Sequence, residues 1–383
     1  MRRALIQALQ LETTAQWLDR ILPAQDLLGV LQAQLQKRFS DIERVRLANS
    51  NPRVFVAVKH HNWEQAGLID SWADVAETVA WDWSDQFDQH AADWHKTQKQ
   101  AFNRALLKHV TEAHATKPLT HFFSYLSGRW VYPQTVEQIG RLGIITINFS
   151  FDDSHRYWGT RRQGLWTGIA SIAPAYDLNI TAQNPADTAK YRLSGARALY
   201  LPPGGNPQAF SNLVATEKRY FASFVGQCYG VRREFVSYLR AAGIEVHTWG
   251  KGWPEGSVNQ QEMLEIYAAS QIILGFGYVG SSRKRTAIKG RDFEIPLTGN
   301  AYMTSFNQEL GMQFEDSKEI LMYRNPAHAV KLLESLRNSP EELAQIGKAG
   351  KKKALEKHTW QKRWEHTLST LRNALYQGTT RNS

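Results

Sequence analysis

The chain has 383 residues, 42% of them hydrophobic and 21% charged, with a formal net charge of +10, a composition that excludes a largely disordered protein. One core does not fill that length, so two domains are expected. No run of about 18 apolar residues occurs, and the opening MRRALIQALQ lacks the apolar centre of a signal peptide, so a cytoplasmic chain without a membrane span is expected.

The first 50 residues read as helices, with Leu5, Leu9, Leu18, Leu28, Leu31 and Leu35 recurring at helical spacing. A β-branched run, VFVAV over 54–58, follows Pro52 and ends in Lys59-His60-His61. Helical stretches are expected near 63–72 and 94–110. Strands are expected at LTHFFSYL, GIITINFS, YDLNITA and ARALYLP. Such alternation implies a parallel sheet covered by helices. Many of the 13 tryptophans fall in this half, most of them expected in the core and a minority lining a sugar or lipid surface.

The turn-rich LPPGGNPQAF, 201–210, closes that run and a second one begins. Strands are expected at FASFVG, IEVHTW, QIILGF and NAYMT, with helices from Val231 and near 261–269, and the last segment reads as helices. Val231, Phe235, Val236 and Leu239 share one helix face, and Gly243 sits where a C-terminal cap belongs. The organisation is therefore α/β: an N-terminal Rossmann-like domain over 1–205, including a helical extension over 1–50, and a second over 206–383. Two such domains would place the loops at the carboxyl ends of both sheets in one cleft.

Three groups of residues could carry chemistry. In FVGQCYGVRREF, Gly226, Gln227 and Gly230 lead into Arg232 and Arg233 in the first turn of a helix. Small residues let a backbone approach a ligand, and free N–H groups with a guanidinium fork suit phosphate. An ordinary turn with surface arginines is the competing reading. Cys228, the one cysteine, permits no internal disulfide and reads as a small buried residue. Next, Arg283, Lys284, Arg285, Lys289 and Arg291 place five cations within nine residues, just before Glu294. A diphosphate would match the cations, and a carboxylate can accept from two neighbouring hydroxyls, as a ribose presents. Thr298-Gly299-Asn300 then allow close backbone approach. A basic surface loop is the alternative. Third, Asp152, Asp153 and His155 follow the strand GIITINFS, and His60 and His61 follow the first strand. Either set could orient or deprotonate an acceptor hydroxyl, with one aspartate facing the ligand. No third ligand of sensible spacing accompanies the histidines, so no metal site is expected.

The ordered segments FVGQ, HTWGKGW (with Gly250), IYAASQIILGF, RDFEIPLTGNAYMT and KHTWQKRW resemble the CgeB-type, group 1-like glycosyltransferases over about 150 residues. INFSFDDSHRYWG and LPPGGNPQAF add a weaker match. That resemblance implies the GT-B fold, two Rossmann-like domains facing across a cleft, with the final helices packing back on the N-terminal domain. It also implies a nucleoside diphosphate sugar held by the C-terminal domain, an acceptor on the N-terminal one, retention at the anomeric carbon and no cofactor. By analogy, Glu294 would hold the ribose, Lys289 or Arg291 the diphosphate, and Gly226 would line its approach. Family members carry a second glutamate eight positions earlier, where this chain has Thr286, so the contact to the donor sugar stays unassigned.

Two rivals remain at this point: a GT-B-like binding protein without catalysis, suggested by Thr286, and a nucleic-acid binder, suggested by charge but by no recognised motif. The basic C-terminal segment with Trp360 and Trp364 admits peripheral contact with an inner membrane face. Monomer and homodimer stay equally open.

Overall fold

A computed structural model describes residues 12–60 and 64–376, and the chain divides into two compact units. Unit 1 comprises Met1–Pro202 with Arg363–Ser383, and unit 2 comprises Pro203–Lys362.

Unit 1 opens with helices Glu12–Ile21, Leu27–Arg38 and Asp41–Asn49. Ser40 and Glu43 close a reciprocal capping box on the third, which is why it starts where it does. Strands β1 (Arg53–Ala57), β2 (Glu77–Ala80), β3 (His121–Ser124) and β4 (Ile145–Ser150) follow, then a short hairpin of β5 (Arg161–Arg162) and β6 (Leu165–Trp166), then β7 (Leu178–Thr181) and β8 (Ala198–Tyr200). Six of them form one parallel sheet in the order β2-β1-β3-β4-β7-β8. The five expected strands are present; β2, with the weakly apolar sequence ETVA and no buried residue, was not expected. The apolar strands β1, β3, β4 and β7 are buried throughout, as a sheet covered on both faces requires. One face packs into an aromatic cluster containing Trp81, Trp83, Trp94, Trp130 and Phe102.

Unit 2 carries β9 (Tyr220–Val225), β10 (Val246–Trp249), β11 (Ser270–Leu274), β12 (Ala301–Ser305) and β13 (Leu321–Tyr323), all parallel in the order β10-β9-β11-β12-β13. The last strand lies in a segment expected to be helical. Helix Arg232–Ala241 buries Phe235, Val236 and Leu239, and Gly243 beyond its end takes φ +76°, the left-handed conformation its capping position demands.

In both sheets the first strand in the chain lies inside, with the second on one side and the third on the other. Chain connections leaving the carboxyl ends of β1 and β3, and of β9 and β11, therefore diverge and open a crevice at each switch point. The architecture is that of a GT-B protein, with two Rossmann-like α/β domains.

The final helix, Trp360–Tyr376, belongs to unit 1 from Arg363 onward. Trp364 stacks on Trp72 with ring centroids 4.5 Å apart, meets Phe123 edge-on, and donates its indole N–H to Ser71 Oγ at 2.8 Å. Trp360 and Trp364 are both buried, which removes them from any lipid-facing surface. Among the described residues no helix is long and apolar enough to cross a membrane. Replacing Trp364 by Ala should cost unit 1 about 3–5 kcal/mol in urea denaturation, because it empties a fully enclosed indole site; a loss under about 1 kcal/mol would show that this helix is not part of the unit's core.

Candidate functional site

At the switch point of unit 2, β9 ends in Val225-Gly226 and β11 in Leu274-Gly275. The loops that follow touch: a Cβ on Gly230 would lie 2.2 Å from the carbonyl oxygen of Gly280. Helix Arg232–Ala241 begins at this edge with no side chain capping its amino end. Its first residue, Arg232, folds back so that Nη1 donates to the Gln227 carbonyl at 2.8 Å, and its guanidinium lies 5.3 Å from the Phe224 ring centroid and 4.1 Å from that of Tyr229. Helix Arg291–Glu294 starts from the loop after β11. Arg291 donates to the Val225 carbonyl at 2.9 Å, and its guanidinium is also 5.3 Å from Phe224.

Two cations thus share one aromatic ring, and neither has an ion-pair partner among the described residues. Burial first, and the neighbouring charge of Arg291 second, push Arg232 down to about 10, so it stays charged near neutrality but at a cost. Gly226 lies against the Arg291 guanidinium, where a Cβ would come within 3.1 Å of it. Gly250 supports that loop from behind: it takes φ +128°, and a Cβ there would meet the Gly226 carbonyl oxygen at 2.4 Å.

Glu294 stands one helical turn beyond Arg291 and makes no hydrogen bond or ion pair. Burial raises it to about 7, against the opposing pull of Arg291. Lys289 is half-buried, and its ammonium has no partner among the described residues. The buried Asp292 fixes this segment, accepting from Lys289 N at 2.7 Å and from Tyr302 Oη at 2.6 Å.

Several expected donor contacts lie elsewhere. Gly299, with φ +83°, and Asn300 lead into the amino end of β12, opposite the crevice. Asn300 binds the Tyr267 carbonyl and Lys218, which precedes β9, so this turn joins helix to strand and does not approach a ligand at the carboxyl edge. Arg233 reaches the Gly252 carbonyl at 2.8 Å from an exposed position. Gln227 contributes its carbonyl to Arg232, with its side chain exposed. Thr286 donates to the Phe306 carbonyl at 3.0 Å. Cys228 is half-buried, more open than expected.

Unit 1 has a cavity of about 400 Å³ at its own switch point, walled by the loops after β1, β3 and β4. Asp152 is exposed at its rim. Asp153 is not available: its carboxylate accepts from Ser150 Oγ at 2.5 Å and Tyr191 Oη at 2.7 Å, and burial and then Asp187 push it up to about 6. Of the two aspartates, Asp152 alone has an exposed side chain at the cavity. His155 is half-buried on helix Asp153–Arg156 and does not line the cavity. His60 follows β1, but its Nδ1 lies 3.7 Å from Asp82 Oδ2, and it too is absent from the wall. His61 lies outside the described residues. Among those described, no three His, Cys, Asp or Glu side chains gather as a metal site would need.

The wall contains residues not anticipated from sequence. Glu64 enters the cavity, raised above the usual carboxylate range by burial, with Oε2 buried and unbonded. Lys59 and Arg129 are half-buried beside it. Lys59 stands in the segment already noted after the first strand; nothing local to Glu64 or Arg129 distinguishes them. A larger hollow of about 740 Å³ lies at the amino edge of the same sheet, where Arg53 and Lys117 both pair with Glu77.

Residues 232–369 match the family described as "Glycosyl transferase-like". Among solved structures, Anabaena HepE in complex with UDP and glucose aligns with a TM-score of 0.54 at 10% identity, covering 84% of this chain and 100% of that one. A glycosyltransferase from Rickettsia africae aligns with a TM-score of 0.60 at 7% identity, over 86% and 100%. Sucrose-phosphate synthase from Thermosynechococcus elongatus aligns with a TM-score of 0.51 at 11% identity, over 84% and 99%. No curated protein matches the chain in sequence. At these identities the structural likeness establishes the fold, and the family match over the second unit adds the activity: the protein is a glycosyltransferase of the GT-B type.

Proposed function

We propose that unit 2 binds a nucleoside diphosphate sugar at the β9/β11 switch point, and that unit 1 holds a hydroxyl acceptor in its cavity. The observation that carries the reading is the pair Arg232 and Arg291, two guanidinium groups fixed on one phenyl ring, neither in an ion pair among the described residues. A diphosphate supplies the missing charge, with Lys289, two residues before Arg291, as a further cation. Glu294, unbonded and half-buried, accepts from the two ribose hydroxyls. Uridine diphosphate is the first nucleotide to try, because Anabaena HepE was crystallised with UDP and glucose.

In the transfer, the acceptor oxygen forms a bond to the anomeric carbon as the bond from that carbon to the diphosphate oxygen breaks. The electron pair leaves on the diphosphate, and the hydroxyl proton is released. Fixed cations aimed at the departing oxygen stabilise charge as it develops, without reorganising during the step. They do so in place of a divalent cation, so EDTA should leave turnover unchanged. In unit 1, Glu64 and Asp152 offer carboxylates to the acceptor hydroxyl.

Thermal unfolding of the protein with a panel of nucleoside diphosphates and their sugars tests the donor assignment. At least one should raise the melting temperature. Arg291→Ala should weaken that binding by about tenfold or more, as expected for a lost charged hydrogen bond. An unchanged shift in that variant would remove the assignment. Glu294 also predicts a pH dependence. A protonated carboxyl accepts poorly from a diol, so donor binding should weaken as pH falls through about 7, and Glu294→Gln should abolish that dependence. Finally, Gly250→Ala should displace the Gly226 loop, weakening nucleotide binding together with a loss of about 1–3 kcal/mol in stability; full retention of both would show the loop does not depend on that contact.

A further inference from the structure

The unit 1 cavity carries polar groups that the protein itself leaves unsatisfied, and they are of two kinds. The first kind is cationic. Arg129 is half-buried; Nη2 donates to the Gln89 carbonyl at 2.8 Å, while Nε is buried without a partner. Lys59, also half-buried, makes no hydrogen bond or ion pair among the described residues. Arg156, exposed on the helix that follows β4, adds a solvated cation at the cavity rim. The second kind is a carboxylate, Glu64, whose Oε2 is buried and unbonded. Lys59 lies near enough to lower Glu64 electrostatically, yet the two form no ion pair.

An exposed, unpaired arginine means little, because water solvates it. A half-buried guanidinium whose Nε–H is unmet and a half-buried ammonium without a protein partner are different, since each N–H concerned has given up hydration with nothing in return. The neighbouring hairpin adds to the same sign. Arg161 and Arg162 are exposed on β5, and its base is held rigidly at the cavity wall, where Gly168 packs so closely on the Arg156 carbonyl that a Cβ would lie 2.2 Å from that oxygen.

We infer that this cavity is built for a hydroxylated anion, so that the acceptor carries a phosphate or carboxylate group held by Lys59, Arg129 and Arg156, with a hydroxyl turned toward Glu64. The inference rests on reading the cavity as the acceptor site. It sets the substrate class: a neutral sugar or alcohol leaves the cations unmet, whereas a sugar phosphate or uronate satisfies both kinds of group.

Isothermal titration of the full chain, without donor, compares glucose 6-phosphate, glucuronate and glucose. The two anions should bind, and glucose should bind at least about tenfold more weakly, the cost of one lost charged hydrogen bond. Arg156→Gln, an exposed change that leaves the fold intact, should weaken the anions several-fold, and Lys59→Met should weaken them further. Arg291→Ala, in the other unit, separates this site from the donor site and should not alter anion affinity. Glucose binding as tightly as the anions, no binding of either anion, or a loss confined to Arg291→Ala would each overturn the proposal. Failure of the acceptor reading looks different: the anions bind and respond to Arg156→Gln, yet do not accelerate nucleotide release from a donor that the protein turns over.

Discussion

Two like charges held on one phenyl ring set the terms for unit 2. Arg232 and Arg291 each stand 5.3 Å from the centre of Phe224, and each is tied by a hydrogen bond to a backbone carbonyl of the β9 loop. Repulsion at such a site is tolerable because the ring face and the carbonyl oxygens are both electron-rich. It becomes favourable once an anion lies between or above the guanidinium groups. The glycines follow from this. A side chain at Gly226 would press on the Phe224 ring and the Arg291 fork, and Gly250 must lack one because the Gly226 backbone occupies that space.

The two sheets apply one topological rule to different chemistry. In each, the first strand sits between the second and the third, so the loops part at the same place. Unit 2 fills that opening with a helix amino end, guanidinium groups and one carboxylate. Unit 1 fills it with a polar-walled cavity backed by the tryptophan cluster. Function in such a fold resides in what the loops carry, and the sheets serve to hold those loops still.

How much of this was legible in the sequence depended on whether the signal was local. Apolar runs such as VFVAV and GIITINFS identify buried parallel strands directly, while β2 and β13 carry little signal because ETVA is hardly apolar and LMY is very short. Arg232, Arg291 and Glu294 stood out because charge beside turn glycines and apolar strands is a local pattern. Gly299 and Asn300 show the converse: a glycine before a strand looks the same at either edge of a sheet, and only the direction of β12 reveals that it belongs to the amino edge. Adjacent Asp152 and Asp153 differ only in which way the chain turns after β4, which puts one in solvent and the other among Ser150, Tyr191 and Asp187. Glu64 and Arg129 come together through tertiary structure alone, 65 positions apart in the chain.

The most direct measurement is a crystal structure of the protein grown with a nucleoside diphosphate sugar that stabilises it. The account predicts diphosphate oxygens within hydrogen-bond distance of Arg232 and Arg291, and both ribose hydroxyls on Glu294. Nucleotide bound anywhere else, or a diphosphate touching neither guanidinium, would contradict it.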